Sequence, residues 1–507
     1  MATLKQQIAP LPAPLEEIAS LMRAARYRAA LDAARRVREP AARLLEAQIQ
    51  LRLSASAEAL FELRELETSD ENEHLHANAM IAEAHARLGD FAASDAAASQ
   101  ISDLQLRVAP KWLQCEVALR RAAIAWMRND VTAARTLVDV AIESPLPEGK
   151  AKALIMRSWV AAQIEDYGEQ LRDLSLAAET LCAAAQIDVG VLANATRTIS
   201  VLAKDLRVPS ALDLAAQLVG AIQWTDDLTQ DHFESRRNLG WGLALQGRYF
   251  EAIYQLQKAT DIAPSPELRV RSMLDRAYIR RAAGERDSSR ADLDQAIERA
   301  APIDWSKASV EEHVALLIAA ELVAEHDPHA ARSYLDRFKT LQPILDPMVG
   351  LSHDRRLAAF HAYAAAVVAE ALGEDPQNML KAAFIVFDEI GFRWRATLAA
   401  LRLFRITGER AWLEFAQSRG ADYRKCWIGT LLSEAEVEGL DDALGDLTPM
   451  QRRIFKFLLE GWNAAKIAQK LGRAQSTVKN HIQWIYHAFG VNTQAELLAE
   501  ARRRLLA

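Results

Sequence analysis

A turn recurs in this chain about every 40 residues, and no other feature narrows the possible folds so far. Turn-forming clusters stand at Gly89-Asp90-Phe91, Asn129-Asp130-Val131, Glu165-Asp166-Tyr167, Gly247 and Gly284. The one gap of two periods is filled by Pro209-Ser-Ala-Leu212. Between the turns, small and large apolar residues recur at helical spacing. The clearest unit runs Leu239-Gly240, Gly247, Tyr249, Ala252, Leu256, Ala259 and Pro264, and a second follows with Ala277, Gly284, Leu293, Ala296 and Pro302. Fainter copies carry Ala134, Ala141 and Pro145, then Leu174 and Ala177. A helical hairpin of this size cannot bury its apolar face alone. Hairpins from about Leu15 to Tyr423 must therefore stack on one another into a solenoid with a concave side. Beyond Pro302 the units lengthen, with helices over Leu357 to Leu372 and Arg393 to Leu403.

Composition agrees with an all-helical chain. Half of the 507 residues are hydrophobic, with only 20 Gly and 16 Pro. Three widely spaced cysteines, Cys115, Cys182 and Cys426, offer neither a disulfide framework nor a zinc site. The first residues, Met1-Ala-Thr-Leu-Lys-Gln-Gln, lack the pattern of a secretory or transit signal. Nowhere do 18 apolar residues run together; the nearest stretch, Ala358 to Leu372, is broken by His361 and Glu370. A cytoplasmic protein that does not span a membrane is expected.

Catalytic readings find little support. Gly149-Lys150 lacks the upstream glycine and the following hydroxyl of a phosphate-binding loop. His74 and His76 point to different faces of a helix, and His326 and His329 flank Pro328, so each reads as a surface histidine. Trp112, Trp126, Trp159 and Trp241 sit on helical faces and read as packing between repeats. No enzyme, metal or cofactor is expected.

The end of the chain is built differently. Thr448 caps a helix with Pro449 at its first position and Gln451 completing a capping box. Ile454, Phe455, Leu458 and Leu459 form its apolar stripe, and Gly461 stops it. A short helix follows Asn463 and buries Ile467, Ala468 and Leu471, after which Gly472 turns the chain. Val478, Ile482, Ile485 and Phe489 give a third helix its buried face, opposite Lys479, Asn480 and Gln483. Thr493 and Glu496 make another capping box for a fourth helix, which carries Leu497, Leu498 and Ala501 as an apolar stripe and ends in Arg502, Arg503 and Arg504. Two short helices about a glycine turn, the second with a polar outer face, are the layout of a DNA-reading helix-turn-helix. Residues 447–507 hold ten basic against three acidic residues, +7, while the whole chain is −7, which leaves −14 to everything before them. A basic end on an acidic body concentrates attraction to phosphate in one place.

These residues resemble the LuxR-type (GerE-type) DNA-binding domain of bacterial transcription factors. The likeness rests on Leu447-Thr448-Pro449, Gly461, Ile467-Ala468, Leu471, Thr477-Val478-Lys479, His481, Ile485 and Gly490-Val491. It implies that the third helix enters the major groove, that Lys479 touches DNA and that Asn480 and Gln483 read bases. Ser476, Thr477, His481, Lys466 and Arg473 complete the candidate contacts. The fourth helix, through Leu497, Leu498 and Ala501, is implied to pair two copies. Departures stand at Gln451 and Arg453, at Asn463-Ala464-Ala465-Lys466, and at Arg473-Ala474, where a serine cap is lost and Ser476 is the residue at hand to replace it. Trp484 either packs against the fourth helix or lies near the DNA backbone. The region from Leu239 to Pro302 resembles a tetratricopeptide repeat, with Arg236 where the leading tryptophan would stand.

The expected architecture is thus all-α: a tetratricopeptide-like repeat region over residues 1–423, an acidic linker over 424–446 and a helix-turn-helix domain over 447–507. The linker holds Glu434, Glu436, Glu438, Asp441, Asp442 and Asp446 without a basic residue from Leu431 onward, and reads as a short helix plus a hinge. Its acidity either masks the basic recognition helix or serves solubility. The expected function is a homodimeric transcriptional regulator, an activator by resemblance, that binds double-stranded promoter DNA. A protein, peptide or small-molecule effector is expected on the repeats, with RNA polymerase as a further partner of an activator. The alternative is a protein-interaction scaffold whose terminal bundle binds no DNA.

Overall fold

The computed structural model describes residues 12–164, 166–204, 208–341, 352–443 and 447–506. Among them every regular element is a helix, and no helix is long and apolar enough to cross a membrane. Two compact units divide the chain. One holds the residues up to Ala244 together with Tyr249–Ile279; the other holds Leu245–Arg248 and everything from Arg280 onward.

In the first unit the helices pair into hairpins, and each hairpin packs on the next. The turns inside the hairpins share one device. A residue in the left-handed region reverses the chain, and the next residue begins or caps the second helix. Gly89 (φ +80°) and Asn129 (φ +62°) are followed by Asp90 and Asp130, whose carboxylates accept from Ala93 N and Ala133 N, each at 3.0 Å. Asp166 does the same for Glu169 N at 2.8 Å, while the expected turn residue before it, Glu165, lies outside the described residues. Ala25 and Ser54 take the left-handed conformation in two earlier hairpins that carry no glycine signal. The helices Val189–Lys204 and Ala211–Ala221 form the hairpin that bridges the long gap between turns.

Small residues set how closely the paired helices approach. Ala252, Leu256 and Ala259 are fully buried, and a Cβ on Gly240 would lie 2.9 Å from Leu256 Cγ and 3.2 Å from Ala252 O. Glycine is therefore required there by contact, not by backbone angle. Trp241 is buried and tilted against Tyr278, as inter-repeat packing. The first hairpin also packs on the helix Val189–Lys204, and Thr225 Oγ1 donates to Ala25 O at 2.8 Å.

The second unit continues the pairing with Val310–Val323 and Pro328–Leu341, then Ser352–Ala371 and Gln377–Glu389, then Arg393–Thr407 and Arg410–Gly420. Its interior holds a buried ion pair. Both oxygens of Glu321 accept from Arg395 Nη1, at 3.0 and 2.8 Å, and the guanidinium lies within about 5 Å of the rings of Phe360, Tyr363 and Trp394.

The segment expected as a linker is mostly one helix, Trp427–Ala443. Ile428, Leu432 and Ala435 recur at helical spacing and are buried, which outweighs the pull of the acidic residues toward solvent. Glu434 pairs with Arg405 at 3.3 Å and Glu436 with Arg424 at 2.8 Å, so two of the carboxylates that a masking role would use are engaged by arginines of the preceding helices and turn. The side chains of Glu438, Asp441 and Asp442, and all of Asp446, lie outside the described residues.

Candidate nucleic-acid interface

Four helices after Leu447 form a small core of their own. They span Pro449–Leu459, Ala464–Leu471, Gln475–Phe489 and Gln494–Leu506. Their beginnings follow the sequence closely. Thr448 and Gln451 form a reciprocal capping box: Thr448 N donates to Gln451 Oε1 at 2.7 Å and Gln451 N donates to Thr448 Oγ1 at 3.4 Å. Asn463 Oδ1 accepts from Lys466 N at 3.0 Å. Glu496 N donates to Thr493 Oγ1 at 3.1 Å, but Glu496 Oε2 accepts from Asn492 N rather than from Thr493, so this box is displaced by one residue. Gly461, Gly472 and Gly490 all adopt positive φ and end their helices as expected.

The third helix is the exception. Its N-cap position is Ala474, and no side chain accepts from its first turn. Ser476, already inside the helix, does not replace the missing serine.

The core fixes which face of the third helix looks outward. Val478, Ile482, Ile485 and Phe489 are buried together with Ile454, Phe455, Leu458 and Ile467, and Phe455 stacks on Phe489 with ring centroids 5.0 Å apart. Fully burying each such side chain stabilises by roughly 1.5–3 kcal/mol, so the helix cannot rotate without a large loss. Ser476, Thr477, Lys479, Asn480 and Gln483 are consequently exposed, and His481 is half-buried at the edge of the row. Arg473 is exposed in the turn, and the Lys466 ammonium lies 4.4 Å from the Trp462 ring centre. The eight candidate contacts thus divide into five on one open face, one at its edge and two on the preceding turn and helix. Trp484 is 64% exposed beside that face, edge-on to His487, and does not pack into the core.

The expected pairing stripe is corrected. Leu497 and Ala501 are buried in the domain's own core at 0% and 1% exposure, because the fourth helix closes the first three. Only Leu498 of the three retains exposed surface. Sequence reasoning also missed what ties this helix down: Gln494 Nε2 donates to Leu458 O at 2.8 Å and to Trp462 O at 3.2 Å, closing the end of the first helix. The helix Trp427–Ala443 packs against the fourth helix as well.

Residues 438–483 match the family model for sigma-70, region 4. The match runs from the preceding helix through most of the third and agrees with a helix-turn-helix at this place. No curated protein matches the chain. Among solved structures it is similar to the human IFIT1 dimer with PPP-AAAA, at 12% identity and a TM-score of 0.38 over 86% of this chain and 96% of that one. It is similar to a Rap protein complexed with competence and sporulation factor, at 14% identity and 0.37 over 79% and 98%. Aspartyl phosphate phosphatase F from Bacillus subtilis is similar at 10% identity and 0.40 over 84% and 96%.

Among the histidines, His74, His326 and His329 are exposed as expected, while His76 is half-buried with its Nε2 enclosed. Its ring stands edge-on to Trp112, and burial, with Arg120 nearby, pushes its pKa down to about 4. No group of side chains among the described residues is spaced to hold a metal ion.

Proposed function

We propose that this protein is a LuxR-type transcriptional regulator, an activator, that binds double-stranded promoter DNA through the helix Gln475–Phe489 and receives a signal on its helical repeats. One observation carries the reading: the third helix of a helix-turn-helix buries its apolar face completely and turns Lys479, Asn480 and Gln483 outward as one open polar row. A lysine supplies a cation for phosphate or guanine, while Asn and Gln make paired hydrogen bonds to adenine. The +7 balance of residues 447–507 supports non-specific attraction to the duplex. Two copies on a near-palindromic site would double the readout, with Leu498 the residue of the expected stripe still available for contact. The protein's work in this reading is binding, with RNA polymerase as the partner that activation requires.

A genome-wide map of bound DNA tests the proposal. Discrete promoter sites that vanish in the Asn480→Ala, Gln483→Ala double variant support it. A chain that enriches no DNA, yet captures a protein through its repeats, is a scaffold instead.

A further inference from the structure

The first helices of successive hairpins in the first unit, from Pro40–Arg52 through Thr229–Leu245, line a cavity of about 450 Å³. That volume lies in the range of small-molecule sites. Its apolar side continues into a second lobe of about 390 Å³, and Met156 and Trp159 belong to both. Trp126 lines the second lobe with its ring centroid 5.6 Å from that of Trp159. The two tryptophans meet each other, as packing would have them do, but together they also wall an open space.

The charged side of the cavity is unevenly matched. Its carboxylates are all ion-paired, Asp227 with Arg28 at 3.3 Å, although Asp227 Oδ1 accepts no hydrogen bond. Glu83 accepts from both Arg87 and Arg120, and Glu116 from Arg120 at 2.6 Å. Asp188, behind the wall, takes Arg52 at 2.9 Å, and Asp231 takes Arg197 at 2.8 Å. The donors are not all answered. Lys152 is half-buried and makes no hydrogen bond or ion pair among the described residues, although it lies near enough to Glu116 and Asp188 to help keep both ionised. Arg120 Nε and Trp126 Nε1 are buried without an acceptor. Burying a donor unpaired is costly, the more so when it is charged. A wall whose carboxylates are all ion-paired while the Lys152 ammonium is not is complementary to a ligand that brings negative charge.

We propose that this cavity binds a small amphiphilic carboxylate, its anionic group at Lys152 and its aromatic or aliphatic body against Trp159 and Trp126. The inference rests on the reading of the repeats as a sensor, and names the class of effector they take.

The test uses the full-length protein and a pair of probes that differ in charge but hardly in shape, 4-phenylbutyrate and its neutral amide, 4-phenylbutyramide, titrated by calorimetry. The carboxylate is expected to bind about tenfold tighter than the amide, the discrimination of one charged hydrogen bond. Lys152→Gln should abolish that preference and Lys152→Arg should keep it, so that a loss confined to Gln is not a failure to fold. Trp159→Leu should weaken both probes together. Equal binding of the two probes, an unchanged preference in Lys152→Gln, or no binding of either overturns the proposal. Promoter binding is measured on the same preparations. Carboxylate binding without DNA binding leaves the site standing and removes the regulator; DNA binding without carboxylate binding does the reverse.

Discussion

The uncapped start of the recognition helix makes a prediction that separates local helix energetics from everything else. Ala474 already has the backbone of an N-cap, φ −64° and ψ 140°, with no side chain to accept from the first turn. A serine there places an oxygen within reach of the N–H groups of Ser476 and Thr477 without any change of backbone. Ala474→Ser should therefore stabilise the helix by about 1 kcal/mol. By the same measure Thr448→Ala, which removes a formed capping box, should destabilise the first helix by about 1 kcal/mol. Hydrogen exchange of the full-length protein reads both. Amides of the segment 475–485 should exchange about fivefold more slowly in Ala474→Ser, since a tenfold step corresponds to about 1.4 kcal/mol. Glycine at the same position should move them by only a few tenths of a kcal/mol. Unchanged or faster exchange in the serine variant would refute the reasoning, because it would mean that the first turn is satisfied by a partner other than a cap.

Three further outcomes follow from particular contacts. Leu497→Glu should unfold the terminal domain, since it places a charge in a fully buried position, whereas Leu498→Glu should leave its melting unchanged and lower affinity for a full operator more than for a half-site. Gly247→Ala should destabilise more than Gly284→Ala. Both oppose a positive φ, at roughly 1–2 kcal/mol, but only at Gly247 would a Cβ run into the Lys425 carbonyl. The first unit should lose stability as pH falls from about 6.5 to about 4. His76 folds neutral with its pKa lowered by burial and Arg120, so the unfolded chain binds more protons across that window; its contribution is complete above 6.5 and declines by up to about 1.4 kcal/mol per pH unit. His232, lowered to about 4 by burial and Arg236, acts in the same direction. Denaturant midpoints against pH should flatten in His76→Gln, and an unchanged slope would contradict the assignment.

What the sequence discloses depends on how local the determining interactions are. Caps and stops are read within four residues, which is why Asp90, Asp130 and Asp166, the Thr448–Gln451 box and Gly472 are all recognisable in advance. The turns at Ala25 and Ser54 escape the same reading because residues with side chains occupy positions where glycine is the usual signal. Between Trp427 and Ala443 two signals conflict. The apolar spacing of Ile428, Leu432 and Ala435 argues helix and the acidic run argues hinge, and burial decides for the helix. An apolar stripe such as Leu497, Leu498 and Ala501 shows that something must cover it but not what, and here the cover is the domain's own core. The cavity is least legible of all. It is assembled by pairs such as Arg120 with Glu83, 37 residues apart, and Arg52 with Asp188, 136 apart, which no local pattern joins.

The central claim is that the exposed row on the third helix reads DNA, and salt-dependent binding tests it most directly. Full-length protein is titrated by fluorescence anisotropy against duplex DNA from upstream of its own gene and against a scrambled duplex, over a range of salt concentrations. Affinity is expected to fall linearly on logarithmic axes as salt rises. Lys479→Ala should weaken binding to both duplexes and lower that slope by about one, while Asn480→Ala and Gln483→Ala should each lose about 1–3 kcal/mol of preference for the specific sequence. Binding that ignores salt, or three variants that bind both duplexes as the wild type does, would contradict it.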